Sequence, residues 1–131
     1  MTVPRYTREI PQRYRLEAGR CEGCGKVSFP PRQVCPSCGG RKQETIRLEP
    51  SGTILSYTAV HVAAEEFDTG TPFVVAVVET PEGARLTAQV ADCDPSEVAI
   101  GKKVRLELRR VREEGKAGIL QYGYTAVLGS A

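Results

Sequence analysis

The chain has 131 residues, 40% hydrophobic and 26% charged, with a formal net charge of +2; that length suits one ordinary domain or two very small ones, and the composition excludes a disordered chain. No apolar run reaches the roughly 20 residues of a membrane-spanning helix. The first twenty residues carry two acids and no apolar core, so they do not read as a signal or transit peptide, and a cytoplasmic location, where thiols stay reduced, is the expectation.

In chain order, residues 1–20 read as an N-terminal arm. Pro4 and Pro11 predict that no single helix runs through it, leaving a short helical or extended piece with apolar Ile10, Tyr14 and Leu16. Residues 21–49 hold two CxxC pairs, "CEGCG" and "CPSCG". Pro50-Ser51-Gly52 is a turn signal and a predicted junction. From there to residue 131 the pattern is β. "TILSYTAVHV" is β-branched and aromatic, with Ile54, Val60 and Val62 sharing one parity. "PFVVAVVET" is an unbroken apolar run, which predicts a strand buried on both faces. "ARLTAQVA" alternates through Leu86, Ala88 and Val90, and "KKVRLELRRV" through Val104, Leu106 and Leu108. Parity slips at Arg109-Arg110-Val111, the mark of a bulge or a strand end. "GILQYGYTAVL" is the fifth strand. In "DCDPSEVAIG", Asp94 can cap a single helical turn with Pro95 first and Glu97 third. Five short strands with so little helix fit a small OB-type barrel, with an SH3-like barrel as the rival.

Charge divides along the chain. Residues 1–49 hold ten Lys/Arg against five Asp/Glu, residues 50–100 one against eight, and residues 101–131 seven against three. Basic ends of this kind suit an anionic ligand or an acidic partner surface.

Two CxxC turns in a reducing compartment point to metal rather than disulfides. Cys21, Cys24, Cys35 and Cys38 supply the four thiolates of a closed tetrahedral zinc shell, which leaves no position for water or substrate. The metal would therefore fold the segment, not catalyse. Gly25 and Gly39, each following a second cysteine, fit where backbone N–H groups approach sulfur. Iron is the competing ion, since "CPSCG" also looks like a rubredoxin knuckle; the short segment and the absence of Trp favour zinc.

No catalytic set is visible elsewhere. His61, the sole histidine, reads as a partly exposed strand residue. Cys93 lies between two aspartates that disfavour its thiolate, and Glu65, Glu66 and Asp68 read as a solvated loop. The chain is expected not to be an enzyme by itself.

"RYRLEAGRCEGCGKVSFPPRQVCPSCGG", then "GTILSYTAVHV", "ARLTAQVADCDPSEVAIGKKVRLELRRV" and "LQYGYTAV", resemble the DUF35 family over nearly the whole chain from about Pro4. The resemblance implies a rubredoxin-like zinc ribbon joined to an OB fold. It also implies an accessory role in acyl-CoA metabolism, in a hetero-oligomer with a thiolase-type enzyme whose catalytic cysteines and histidines belong to the partner. CoA phosphates suit clustered guanidinium groups, so Arg32 in "FPPR" and Arg109, Arg110 and Arg112 are candidate CoA-binding residues. Tyr57, with Tyr122 and Tyr124, could line an apolar groove for the pantetheine arm. The arm and ribbon, Tyr6 to Arg41, are expected to form much of the enzyme interface. The alternative is a single-stranded nucleic-acid-binding module, which would need exposed aromatics interleaved with basic residues on the second and third barrel strands. "PFVVAVVET" and "ARLTAQVA" offer one Arg and an initial Phe.

Overall fold

The computed structural model describes residues 4–63, 72–113 and 120–129, with the side chains of residues 5, 6, 110–113 and 120–122 outside that description. The chain divides into two compact units, Met1–Glu49 with Thr80–Arg85, and Pro50–Glu79 with Leu86–Ala131. No helix among the described residues is long and apolar enough to cross a membrane.

The first unit opens with α1, Pro4–Tyr14, which runs through Pro11. This corrects the expectation that the two prolines break the segment. Pro4 stands at the start of the helix, where an amide has no intrahelical partner in any case. Pro11 removes one donor, from the bond to the Thr7 carbonyl. The Glu9–Arg13 ion pair at 3.6 Å brackets that turn. Beyond the helix Leu16 takes φ 50°; its carbonyl accepts the Leu48 N–H at 2.9 Å, and both leucines are buried. Three antiparallel strands follow in the order β2-β1-β3: β1 Glu17–Cys21, β2 Val27–Ser28 and β3 Gln43–Arg47. Glu17–Arg20, assigned from sequence to the arm, are thus paired inside this sheet. Among the described residues its core is small, with Leu16, Ala18, Val27, Leu48 and Ala84 as the buried apolar side chains besides the cysteines. A core of that size rarely holds a fold without a staple.

The second unit is a closed barrel. Its strands are β4 Ser51–Val60, β5 Phe73–Glu79, β6 Arg85–Ala91, β7 Lys103–Glu113 and β8 Leu120–Leu128, in the order β4-β5-β6-β8-β7. Closure comes from β4 pairing with β7 and a short parallel pairing of β6 with β8 at Val90↔Ala126. That order is the OB arrangement and not the SH3-like one. Ile54, Val74, Val78, Val90, Val104 and Leu106 fill the interior. The bulge expected near Arg110 is present, as a register shift between Arg110 and Arg112 against β8. Pro95–Glu97 forms the expected single turn, a 3-10 helix, with the Glu97 carboxylate accepting the Asp94 N–H at 2.8 Å.

Three local expectations are corrected. Strand β5 is buried on one face only: Val74, Ala76 and Val78 point inward while Phe73, Val75 and Val77 stay half exposed. An apolar run reports apolarity on both faces, not burial of both. Val62 is 93% exposed, because the register shift between Ile54 and Ser56 inverts the parity and β4 stops at Val60. Gly52 is no turn residue. It lies within β4 opposite Val104, where a Cβ would collide with Val78 Cγ1 and sit 2.6 Å from the Glu79 carbonyl oxygen.

Candidate metal centre and ligand-facing residues

Two hairpin knuckles build the cysteine site, and they repeat one hydrogen-bond pattern. In the first, the Cys21 N–H donates to the Lys26 carbonyl at 2.9 Å and the Gly25 N–H to the Cys21 carbonyl at 2.9 Å. In the second, Cys35 donates to Gly40 at 2.8 Å and Gly39 to Cys35 at 3.0 Å. Gly25 and Gly39 adopt φ 79° and 74° with open space at the Cβ position, so glycine is needed there for its left-handed conformation. The tight approach to sulfur occurs instead at Gly40, where a Cβ would lie 3.3 Å from Cys38 Sγ and 3.4 Å from Cys21 Sγ. The spacing gave no hint of it.

The four sulfurs lie within 4.8 Å of one another, with Cys21–Cys38 and Cys24–Cys35 each at 3.5 Å. Zinc–sulfur bonds of about 2.3 Å in a tetrahedron place sulfurs roughly 3.8 Å apart, so the set fits a zinc ion. Its electrostatics fit as well. The backbone N–H groups of Cys38 and Ser37, aimed at Cys35, lower that thiol to about 6. Cys38 receives the Gly40 N–H, yet the sulfurs of Cys21, Cys24 and Cys35 push it up to about 11. Four thiolates packed this closely need a cation between them, and a filled S4 shell holds no substrate.

The other candidates are scattered. Arg32 is exposed in the loop after β2, whose Pro31 packs on β1 so closely that a Cβ at Gly19 would lie 3.3 Å from it. Tyr57 stands opposite buried Ala76, on the barrel's inward register, yet is 42% exposed. Leu108, also inward in register and opposite Tyr124, is 44% exposed. On the β4–β7 ladder the two lie in opposite directions from the paired stretch Ser51–Thr53 and Lys103–Arg105, so of the expected tyrosine groove the described side chains show only Tyr57 exposed and Tyr124 half-buried. The side chains of Tyr122, Arg110 and Arg112, and the whole of Glu65, Glu66 and Asp68, lie outside the described residues. His61 is exposed, in a bend just past the end of β4. Cys93 is half-buried; burial, then Glu97, Asp94 and Asp92, raise its thiol pKa, as the flanking aspartates predicted.

Arg109 is not a lone cation. It pairs with Asp92 at 2.5 Å and Glu107 at 3.1 Å, and Glu107 also holds Arg105 at 2.5 Å. Hydrogen bonding to Arg109 lowers the Asp92 pKa, and Arg105 with Arg109 lowers that of Glu107. A depressed carboxylate stabilises the fold above its unfolded pKa of about 3.9–4.3, and that contribution is lost as pH falls through the lower folded value. Asp92→Asn should therefore lower the urea midpoint at pH 6, with the difference closing toward pH 3. A gap that stays constant with pH would show that the pair does not contribute electrostatically.

Two family models cover most of the chain: "ChsH2, rubredoxin-like zinc ribbon domain" at residues 8–44 and "ChsH2, C-terminal OB-fold domain" at residues 45–109. A DUF35 domain-containing scaffold protein of Methanocaldococcus jannaschii is 43% identical, over 93% of this chain and 87% of that protein. Benzoylsuccinyl-CoA thiolase subunit BbsA of Thauera aromatica is 29% identical, over 75% of this chain and 66% of that subunit. Among solved structures, one described as "Ltp2-ChsH2(DUF35) aldolase" superposes with a TM-score of 0.68 at 28% identity, covering 90% of this chain and 89% of that one.

Proposed function

The chain belongs to the DUF35 family, and on that premise we propose that it is a non-catalytic accessory subunit of a thiolase-type enzyme, helping to bind or position acyl-CoA. The observation that carries this reading is the correspondence, nearly end to end, with a protein named as a scaffold. The thiolase subunit and the aldolase complex among its relatives point the same way. The chemistry of the chain supports it. Its four metal thiolates form a closed set, and its remaining thiol is held protonated beside carboxylates. The reacting groups then belong to the partner.

In this reading the exposed Tyr57 ring contacts the pantetheine arm, and the basic residues Arg109, Arg110 and Arg112 supply the cations for the phosphates. Arg109 is neutralised by two carboxylates, so the test is placed on Arg110 and Arg112. The double variant Arg110→Ala/Arg112→Ala should leave assembly with the enzyme intact and raise the complex's KM for acyl-CoA about tenfold, as loss of two charge-assisted contacts would. Unchanged kinetics would remove these arginines from the ligand site. A truncation that tests the arm must stop near Tyr14, because Leu16 and Ala18 are core residues of the ribbon. Removing residues 1–14 should weaken assembly and spare the metal site. Full assembly by the truncated chain would contradict a docking role for the arm.

A further inference from the structure

The barrel's outer surface is divided by charge in a way that its fold does not require. Strand β7 has charged side chains at Lys103, Arg105, Glu107 and Arg109 along its outward register. The adjoining β4 has no charged residue, and β5 has only Glu79 at its end. One charged residue in seventeen is far below the chain's 26%. The inward side of the β4–β5 pair is the core, set by Val74, Ala76 and Val78. Cross-strand register therefore turns Ser56, Thr58 and Val60 outward, opposite Val77, Val75 and Phe73. On β6, Thr87 and Gln89 alternate with buried Ala88 and Val90 and are uncharged, while exposed Arg85, on the same outward register, stands at the first position of the strand.

We infer that this neutral outer face of β4, β5 and β6 is a docking surface for the partner enzyme's protein surface, a reading that rests on the accessory-subunit function. Protein interfaces are depleted of charge at their centre and carry it at the rim, and this face with β7 beside it has that layout. Each outward residue tiles about 33 Å² at ordinary strand spacings, so eight cover roughly 260 Å². A stable dimer needs about 800 Å² per partner. The patch is thus the centre of a larger contact and too small to hold a second copy of this chain by itself. A polyanion is the wrong occupant, since nucleic acid or CoA phosphates require clustered cations, and this face offers Arg85 alone, at its end and with Glu79 ending β5. Its complement is an apolar, uncharged protein surface.

The test is a paired substitution, Thr58→Lys with Val75→Glu. The two positions face each other across the strands, where opposite charges are compatible with pairing. The variant is co-expressed in turn with each thiolase-fold enzyme of the same organism and captured through a tag on this chain. Arg105→Gln, on the charged β7 face, is the control. The expected result is an enzyme that the wild type and the control retain and the paired variant binds at least tenfold more weakly, with zinc content and melting of the variant unchanged. Retention by all three would overturn the docking face and leave the accessory function standing. Retention by none would overturn both. Wild-type self-association that the paired variant abolishes, with enzyme binding preserved, would assign the face to a second copy and overturn the inference.

Discussion

Substituting Cys35 by serine is expected to release the metal and unfold the first unit, the largest effect of any single change. Structural zinc contributes on the order of 10 kcal/mol to domains of this kind, and binding and folding are the same event. Among the described residues the first unit has a core of only two leucines, one valine and two alanines around the cysteines. Hydrogen exchange should show the Ala18 and Ile46 amides of the ribbon sheet losing their protection, and metal analysis should show about one zinc lost per chain. Cys93→Ser, outside the cluster, should change neither. Full zinc retention with unchanged exchange after Cys35→Ser would contradict the assignment of that ligand.

The second large effect is expected at Gly52. A methyl group there would strike Val78 Cγ1 and come within 2.6 Å of the Glu79 carbonyl oxygen. Relief by shifting the strand is blocked on the other side, where Ser51, Gly52 and Thr53 pair with Arg105, Val104 and Lys103. The Pro50 carbonyl adds a bond from the Leu106 N–H at 2.8 Å. Overpacking of this sort costs about 3 kcal/mol, so Gly52→Ala should lower the barrel's melting temperature by about 10 °C or more. Gly129→Ala, whose added carbon would lie 3.9 Å from the Val127 carbonyl oxygen, is the matched control. Equal melting of the two variants would show that the barrel yields at Gly52.

The succession of strands along the chain, the convergence of the four cysteines, the bulge in β7 and the capped turn at Pro95 were all legible in the sequence. Each rests on short-range chemistry: ligand spacing, side-chain alternation, or a capping pattern within four residues. The resemblance to DUF35 proteins added the OB topology that alternation alone left open against an SH3-like barrel. What escaped the sequence depends on contacts between distant segments. Glycine in "PSG" signals a turn equally well whether the chain turns there or another strand presses on it. Only the approach of Val78 and Glu79 decided that Gly52 is a packing residue. Parity put Val62 with the core, and a single extra residue between Ile54 and Ser56 reversed it. The apolar run of β5 could not say which of its faces meets solvent. Arginines at 109, 110 and 112 look alike in the sequence, yet tertiary structure gives Arg109 two carboxylate partners from residues 2 and 17 positions away. Sequence determines local geometry and chemistry, because those need only near neighbours; which apolar surface is covered, and which charge is neutralised, is decided when the barrel closes.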